Sequence, residues 1–201
     1  MRIITKTQGD SDWLNARVGV PSSSNFDKIV TTKGEPSKQA TKYLYTLAGE
    51  SVAGAKEDNF QSQAMLRGIE MEAEAVSSYE VIKGVETQEI GFCLHDTMNV
   101  GASPDRLVGD EGLLEIKCPI ISTQVDYLVN GKLLQAYFQQ VQGQLFVTGR
   151  KWVDLMSYYP GLNPLIIRVE RDETFLAALD FELGIFLKEL DRITEIIRGK
   201  K

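Results

Sequence analysis

Residues 103–117 contain two short apolar runs joined by the polar turn Gly109-Asp110-Glu111-Gly112, a pattern typical of a β-hairpin. In the second run, Glu115 and Lys117 are two residues apart and therefore project from the same face of a strand, whereas Ile116 projects from the other face. An acid and a lysine within an otherwise apolar strand carry a desolvation cost that folding alone does not select. We therefore expect this hairpin to carry function.

Asp105 stands at the start of the first run, and the register of the hairpin decides which face it occupies. Pairing Asp105 opposite Glu115 requires a loop of odd length, such as three residues, or a bulge, whereas an even loop turns Asp105 to the other face. We predict the odd register, because two carboxylates and the ammonium of Lys117 then converge.

Two carboxylates beside an amine suit phosphoryl chemistry. Their oxygens bind a hard divalent cation, and Mg²⁺ is the first choice because it keeps positions open for water and a phosphate. Lys117 would orient or deprotonate the attacking water and offset the charge of the transition state. The alternative is a surface Asp105 and a Glu115–Lys117 ion pair without a catalytic role.

Composition excludes several classes of function. A chain of 201 residues with ordinary hydrophobic and charged fractions fits one domain over residues 1–201. The sequence contains no apolar run of membrane length and no signal peptide, so we expect a cytoplasmic protein without a membrane partner. Two cysteines without a CxxC spacing and the single His95 argue against zinc ribbons and His-based catalysis. A net charge of −6 argues against a generic nucleic-acid coat, although metal-binding carboxylates contribute to that count.

A predicted helix from Ser62 to Lys83, closed by Gly84, places Glu72 inside its apolar stripe. A carboxylate on a buried face needs a partner or a metal. A salt bridge to a core arginine is the alternative to a metal ligand.

The remaining pattern predicts one α/β domain with a mixed central sheet flanked by helices. A polar connection is expected after Pro119. The final amphipathic helix forms either core or subunit interface. The other predicted helices span about 36–49 or 36–54, 131–147 and 172–197, and the other strands span 90–94, 152–159 and 165–169.

Pro104-Asp105 followed by Glu115-Ile116-Lys117 resembles the PD-(D/E)xK nuclease signature. The wider string from Ala102 to Pro119 is similar to the phage lambda exonuclease family, also called YqaJ-like viral recombinases. Matching segments extend from Trp13 to the final helix. The resemblance implies a restriction-endonuclease-like core.

Three further motifs carry site residues by resemblance. The segment from Trp13 to Ser24 resembles the family's W-x3-R-x-G-x4-S, which implies that Arg17 and Ser24 hold a 5′-phosphate. By chemistry alone, Arg17 and residues 22–24 form either an anion pocket or part of a small helical hairpin anchored by Trp13.

Residues 67–72 resemble [W/R]-G-x3-E, which makes Glu72 a third metal-binding carboxylate. Gln140 and Gln142 resemble the Q-x-Q motif near the scissile phosphate and its water, with Gln142 preferred. The alternative for these glutamines is plain helix surface.

The resemblance implies a Mg²⁺-dependent exonuclease that degrades one strand of linear double-stranded DNA from a 5′-phosphorylated end, 5′ to 3′, and leaves 3′ single-stranded tails for recombination. Two ions are expected, with Mn²⁺ as a substitute, and Lys117 and Gln142 act on the attacking water. The implied metal ligands are Asp105, Glu115, Glu72 and the Ile116 carbonyl.

The resemblance also implies a ring-shaped homotrimer, a single-strand annealing protein as partner, and a phage or prophage origin in a bacterial host. Two other functions stay open: an endonuclease of the same superfamily, and a DNA-binding relic that no longer cuts.

Overall fold

The computed structural model describes residues 1–5, 7–56 and 63–199. The helices, numbered in chain order, are α1 (Ser11–Ala16), α2 (Ala40–Ala53), α3 (Gln63–Lys83), α4 (Ile121–Asn130), α5 (Leu133–Thr148) and α6 (Glu173–Ile197), and a 3₁₀ helix spans Ser23–Lys28. The strands are β1 (Arg2–Ile3), β2 (Thr87–Glu89), β3 (Cys93–Leu94), β4 (Gly101–Ala102), β5 (Arg106–Val108), β6 (Gly112–Lys117), β7 (Trp152–Ser157) and β8 (Leu165–Glu170). Ser62, the expected start of α3, lies outside the described residues.

The main sheet has five strands in the order β2-β5-β6-β7-β8, and β1, β3 and β4 form a small second sheet. All neighbours in the main sheet are antiparallel except β6 and β7, which are parallel and are joined through α4 and α5. This mixed sheet between helices is the predicted architecture.

The hairpin β5–β6 has the predicted odd register. Arg106 pairs with Leu114 and Val108 with Gly112, so a three-residue loop joins the strands. Gly109 opens this loop with a φ of 52°, a conformation that glycine adopts without a steric cost. The backbone N–H of Asp105 donates to the carbonyl of Leu114, which continues the pairing toward Glu115. Asp105 and Glu115 therefore share a strand face, as predicted.

Alternation along β6 divides the core between the two faces of the sheet. Leu114 and Ile116 pack with Val76 and Tyr79 of α3 on one face. Leu113 packs into the larger cluster with residues of α2, α5 and α6 on the other. Glu115 and Lys117 therefore leave β6 on the face that α5 covers.

Two stretches differ from the sequence-based expectation. The segment after Pro119 is a helix, α4, which buries Gln124 and Tyr127 and is closed by Gly131 with a φ of 65°. Its apolar residues at helical spacing, Ile121, Val125 and Leu128, are exposed. Of the strand expected over 90–94, only Cys93 and Leu94 form a strand, β3, because the chain crosses after β2, which ends at Glu89, from the main sheet to the small one. No helix in the described part of the chain combines the length and apolar character that a membrane span requires.

On the α3 face of the sheet, the buried carboxylate of Asp154 in β7 is well compensated. Its oxygens accept hydrogen bonds from Arg168 at 2.8 and 2.9 Å and from the Tyr79 hydroxyl at 2.8 Å. Burial opposes ionisation, but these donors outweigh it and lower the pKa of Asp154. The cluster ties α3 to the sheet and carries little unbalanced charge.

Gly143 allows α5 to approach the 3₁₀ helix closely. A Cβ atom at this position would lie 2.4 Å from a ring carbon of Phe26 and 3.1 Å from the Cβ of Ser23. Phe26 is fully buried, so its ring has little room to move aside. This contact holds residues 22–24 beside α5.

We expect Gly143→Ala to destabilise the fold by about 1–3 kcal/mol, because it overpacks this contact. Gly184→Ala in α6 is the matched control, since nothing lies within 4 Å of its added Cβ. That change should stabilise by about 0.5–1 kcal/mol, because alanine favours a helix over glycine. Thermal unfolding of both variants checks the prediction, and equal shifts of the two melting temperatures would contradict it.

Candidate active site

Glu115 lies at the centre of the site, between β6 and α5, with 3% of its surface exposed. Its Oε1 accepts hydrogen bonds from Lys117 Nζ at 2.7 Å and from Gln140 Nε2 at 2.6 Å. Its Oε2 accepts a third from Gln144 Nε2 at 2.6 Å. Lys117 Nζ also donates to Gln140 Oε1 at 3.1 Å. The pair expected on one strand face is present, and two glutamines of α5 complete it.

Asp105 faces the same site from the start of β5. Its Oδ2 accepts the backbone N–H of Ile116 at 2.6 Å. Burial raises the pKa of Asp105 well above its ordinary value of 3.8, and the charges of Glu115 and Glu72 raise it further. Lys117 and the Ile116 N–H oppose this rise without cancelling it. When Asp105 and Glu115 are both ionised, the site holds two negative charges against the one positive charge of Lys117.

Lys117 is a protonated donor in this arrangement. Burial acts to lower its pKa, but Glu115 and Asp105 outweigh burial and raise the pKa above 10.5. Its Nζ also lies 4.6 Å from the ring centroid of Tyr137 in α5, a cation–π distance. Orienting a water and offsetting charge fit an ammonium, whereas deprotonating a water requires the neutral amine.

Glu72 does not complete a cluster of three carboxylates. Its Oε1 lies 3.4 Å from Nη1 of Arg106. Arg106 directly follows Asp105, so its side chain leaves β5 on the opposite face, toward α3. Burial raises the pKa of Glu72, Arg106 opposes this rise, and Glu115 adds to it, so the charge of Glu115 is still felt at Glu72.

Within residues 1–5, 7–56 and 63–199, no group of three or more His, Cys, Asp or Glu side chains is arranged to hold a metal ion. The expected meeting of Glu72 with Asp105 and Glu115 is therefore wrong for this structure. The salt bridge to an arginine, the alternative reading of Glu72, is what forms.

Asp105 and Glu115 nevertheless fit a hard divalent cation. Both present carboxylate oxygens on one strand face, and burial, followed by the charge of Glu115, raises the pKa of Asp105, an effect that a bound cation would oppose. Ile116, whose carbonyl the resemblance adds to the ligand set, lies between Glu115 and Lys117 in β6.

Gln142 faces away from this site, contrary to the expectation that it positions the water. Its Nε2 donates to the Glu170 carbonyl at 2.8 Å, and its Oε1 accepts the Asp172 N–H at 3.0 Å. Two residues along a helix turn the side chain by about 200°. Gln140 reaches Glu115, so Gln142 points to the start of α6 instead.

Gln144 and Tyr137 were not predicted to be site residues. They lie four and three residues from Gln140, which places all three on the same helix face. That spacing is present in the sequence, but the Q-x-Q resemblance favoured Gln142 as the site residue.

Arg17 lies near the hairpin. Its guanidinium stacks 4.0 Å from the ring centroid of Trp13, and Nη1 donates to Ser103 Oγ at 3.4 Å. Among the described residues, its buried Nε has no hydrogen-bond partner and no carboxylate forms an ion pair with it. Burial lowers the pKa of Arg17, and Tyr43 and Glu50 oppose this.

Ser24 is exposed, and its hydroxyl lies 3.3 Å from that of Ser22. Arg17 and Ser24 share no hydrogen bond within the part of the chain that the structure describes. They are linked instead through the residues that precede the hairpin, because Ser22 bridges to Gly101 and Arg17 contacts Ser103. Ser103 was not predicted to be a site residue.

Comparison with known proteins identifies the family. A family model described as a YqaJ-like viral recombinase domain matches residues 12–151, well over half of the chain. The chain belongs to the YqaJ-like viral recombinase family. The predicted family is therefore confirmed, and no curated protein matches the chain.

Solved structures of similar proteins support the fold class. An alkaline exonuclease from Laribacter hongkongensis superposes with a TM-score of 0.86 at 34% identity, over 95% of this chain and 97% of that one. The same protein in complex with dAMP matches equally well. A phage-related exonuclease from Haemophilus somnus has a TM-score of 0.68 at 13% identity, over 89% of this chain and 96% of that one, and so shows only the shared fold. The predicted restriction-endonuclease-like α/β fold is confirmed.

We expect Asp105→Asn to raise the melting temperature of the metal-free protein at neutral pH. A carboxyl whose pKa is raised on folding destabilises the folded state above its unfolded pKa, and asparagine removes that charge while its Oδ1 can still accept the Ile116 N–H. A rise of about 2–4 °C corresponds to roughly 1 kcal/mol in a chain of this size.

The gain from Asp105→Asn should shrink as the pH falls toward 3.8, where the wild-type carboxyl becomes protonated in both folded and unfolded states. Thermal unfolding of both proteins over this pH range is the measurement. A variant less stable than the wild type at neutral pH would contradict the prediction.

Proposed function

We propose that this chain is a metal-dependent exonuclease that hydrolyses DNA. The observation that carries the proposal is the position of Asp105, Glu115 and Lys117 on one face of the hairpin, with excess negative charge at Asp105. Membership of the YqaJ-like viral recombinase family supports it. The relative with 34% identity is an alkaline exonuclease, and its complex with dAMP, a deoxynucleoside monophosphate, fits the same reaction class.

In the proposed reaction, Asp105 and Glu115 would hold the divalent cation. When bound, Mg²⁺ would supply Lewis acidity and charge neutralisation at the scissile phosphate. Lys117 donates two hydrogen bonds, to Glu115 and to Gln140, and its third N–H would donate to the attacking water or to a phosphoryl oxygen. Gln140 fixes the lysine by accepting a hydrogen bond from its ammonium at Oε1.

We take Mg²⁺ as the cofactor, with two ions in the working enzyme and Mn²⁺ as a substitute. Carboxylate oxygens favour both metals over softer ones. Glu72 remains with Arg106 in this proposal, so the first ion rests on Asp105 and Glu115, with the Ile116 carbonyl as a further oxygen ligand.

We also propose that digestion runs 5′ to 3′ from a 5′-phosphorylated end of linear double-stranded DNA. Arg17 is half-buried, its buried Nε has no hydrogen-bond partner and its guanidinium forms no ion pair among the described residues, which suits an anionic group. With the Ser24 hydroxyl it would hold the terminal phosphate. A site for the end of one strand explains why the other strand would survive as a 3′ tail.

The assembly and partner expected from the family complete the proposal. A ring-shaped homotrimer would keep the duplex threaded between successive cuts, and a single-strand annealing protein would take up the 3′ tail in phage recombination.

A linear duplex with 5′-phosphates, labelled in turn at the 5′ end and at the 3′ end, tests the proposed function. With Mg²⁺, the 5′ label should be released early as a mononucleotide, whereas the 3′ label should stay on long strands. Without Mg²⁺ both labels should persist. Cleavage of closed circular DNA would indicate an endonuclease instead, and early release of the 3′ label would reverse the polarity.

Lys117→Ala separates an enzyme from a DNA-binding relic. We expect cleavage to fall by roughly 10²-fold or more, the cost of removing one transition-state donor, while affinity for the duplex changes little. Cleavage rate and DNA affinity are measured on the same preparation. An unchanged cleavage rate would remove the lysine from the mechanism.

Arg17→Ala should abolish the preference for 5′-phosphorylated over 5′-hydroxyl ends, because the guanidinium fork is removed. The readout is the ratio of the two digestion rates, which does not depend on the folded fraction. Lys38→Ala, at an exposed lysine of the loop before α2, is the control and should keep the wild-type ratio. A ratio unchanged by Arg17→Ala would place the phosphate elsewhere.

A further inference from the structure

Glu115 is held on both of its oxygens by glutamines of one helix. Gln140 donates to Oε1 and Gln144 donates to Oε2, each at 2.6 Å. The two glutamines are four residues apart in α5 and therefore stand one above the other on the same face. The two carboxylate oxygens therefore accept hydrogen bonds from two successive turns of the helix.

Burial of Gln144 in this position carries a free-energy cost. It is fully buried, and its Oε1 has no hydrogen-bond partner among the described residues. A buried amide oxygen without a partner loses its hydration and gains nothing in return. Rotating the amide would not help, because Oε1 would then face the Glu115 carboxylate.

Gln142 provides the contrast within the same helix. It is also buried, but both of its polar atoms are satisfied, by Glu170 and Asp172. Gln142 therefore has the bonding expected of a structural residue. Among the described residues, the side chain of Gln144 makes one hydrogen bond, to Glu115.

We propose that Gln144 is a positioning residue that fixes the orientation of the Glu115 carboxylate for a divalent cation. The proposal rests on the proposed function, since it assumes that Glu115 is a metal ligand. The end torsion of a glutamate side chain is intrinsically broad. With Lys117 and Gln140 bound to Oε1 alone, the carboxylate could still turn about that contact. The bond from Gln144 to Oε2 removes this freedom.

A neutral donor suits this role better than a charged one. Asp154, in the neighbouring strand, is held by the Arg168 guanidinium, which cancels its charge and lowers its pKa. An arginine at position 144 would neutralise Glu115 in the same way and compete with a metal ion. An amide orients the carboxylate without adding a second positive charge to that of Lys117.

The test measures metal binding without DNA and without turnover. Wild type, Gln144→Met and the matched control Gln142→Met are titrated with Mn²⁺, and free Mn²⁺ is followed by electron paramagnetic resonance. We expect Gln144→Met to bind roughly tenfold more weakly, the usual effect of losing an outer-shell partner of a metal ligand. Gln142→Met should bind as the wild type does.

Thermal unfolding should give the opposite order. Gln142→Met leaves the Glu170 carbonyl and the Asp172 N–H unpaired and should lower the melting temperature. Gln144→Met leaves Glu115 Oε2 without this donor but also removes the unpartnered Gln144 Oε1, so the two effects offset each other in part and its melting temperature should stay closer to that of the wild type. A positioning role requires that Mn²⁺ affinity falls in the Gln144 variant, although the larger loss of stability occurs in the Gln142 variant.

A second readout is the rate of DNA digestion against Mn²⁺ concentration. For Gln144→Met the half-saturating concentration should rise by roughly tenfold, and saturating Mn²⁺ should restore most of the rate. If Gln144→Met does not fold, Gln144→Asn replaces it, because its amide is one methylene too short to reach Oε2.

The outcomes separate the two proposals. Mn²⁺ binding to the wild type with unchanged binding to the Gln144 variant overturns the positioning role and leaves the proposed function standing. Equal weakening by Gln142→Met also overturns it, because the effect would then belong to the helix as a whole. A wild type that binds no Mn²⁺ overturns the proposed function, and the inference that depends on it.

Discussion

A carboxylate buried between a strand and a helix must be compensated, and the surroundings of Glu115 show how. Burial of an ionised group is expensive unless donors surround it. Here β6 supplies Lys117 and α5 supplies Gln140 and Gln144. The register of the hairpin then brings Asp105 to the same face, where no further cation compensates it. The position of α5 therefore depends on its hydrogen bonds to a charged residue of β6.

Asp154 and Glu115 are two buried acids in neighbouring strands whose charges are compensated in different ways. Asp154 projects toward α3 and accepts hydrogen bonds from the Arg168 guanidinium and the Tyr79 hydroxyl, so it stabilises the packing of α3 on the sheet. Glu115 projects toward α5 and belongs to a group whose negative charges exceed its positive ones. The alternation of side chains in a sheet makes this division possible, because one face can be completed for packing while the other keeps reactive charge.

Local pattern was enough to predict the hairpin and the shared face of Glu115 and Lys117, because strand alternation is carried directly by the sequence. The odd register, which brings Asp105 to that face, was chosen on the chemical ground that the three charged groups then converge, and the three-residue loop confirms it. The partner of Glu72 was not predictable in this way. Its pairing with Arg106 depends on how α3 lies across β5, a long-range packing choice.

The error at Gln142 has a different origin. Helical periodicity distinguishes Gln142 from Gln140 and Gln144, but it does not say which face meets the sheet. Both faces of α5 are buried, one against β6 and one against the start of α6, so burial did not mark the site either. Similarly, α4 was missed because polar residues mask its apolar stripe, although Gly131 marks its end.

The close approach at Gly143 fixes the spacing between α5 and the 3₁₀ helix. One side of α5 touches Phe26 and Ser23 without an intervening Cβ atom, and another side grips Glu115. The 3₁₀ helix and the Glu115 carboxylate are therefore both positioned by contacts with the same helix rather than by a loop. In the proposed function, this shared support would hold a strand end at Ser24 in a constant position relative to Glu115.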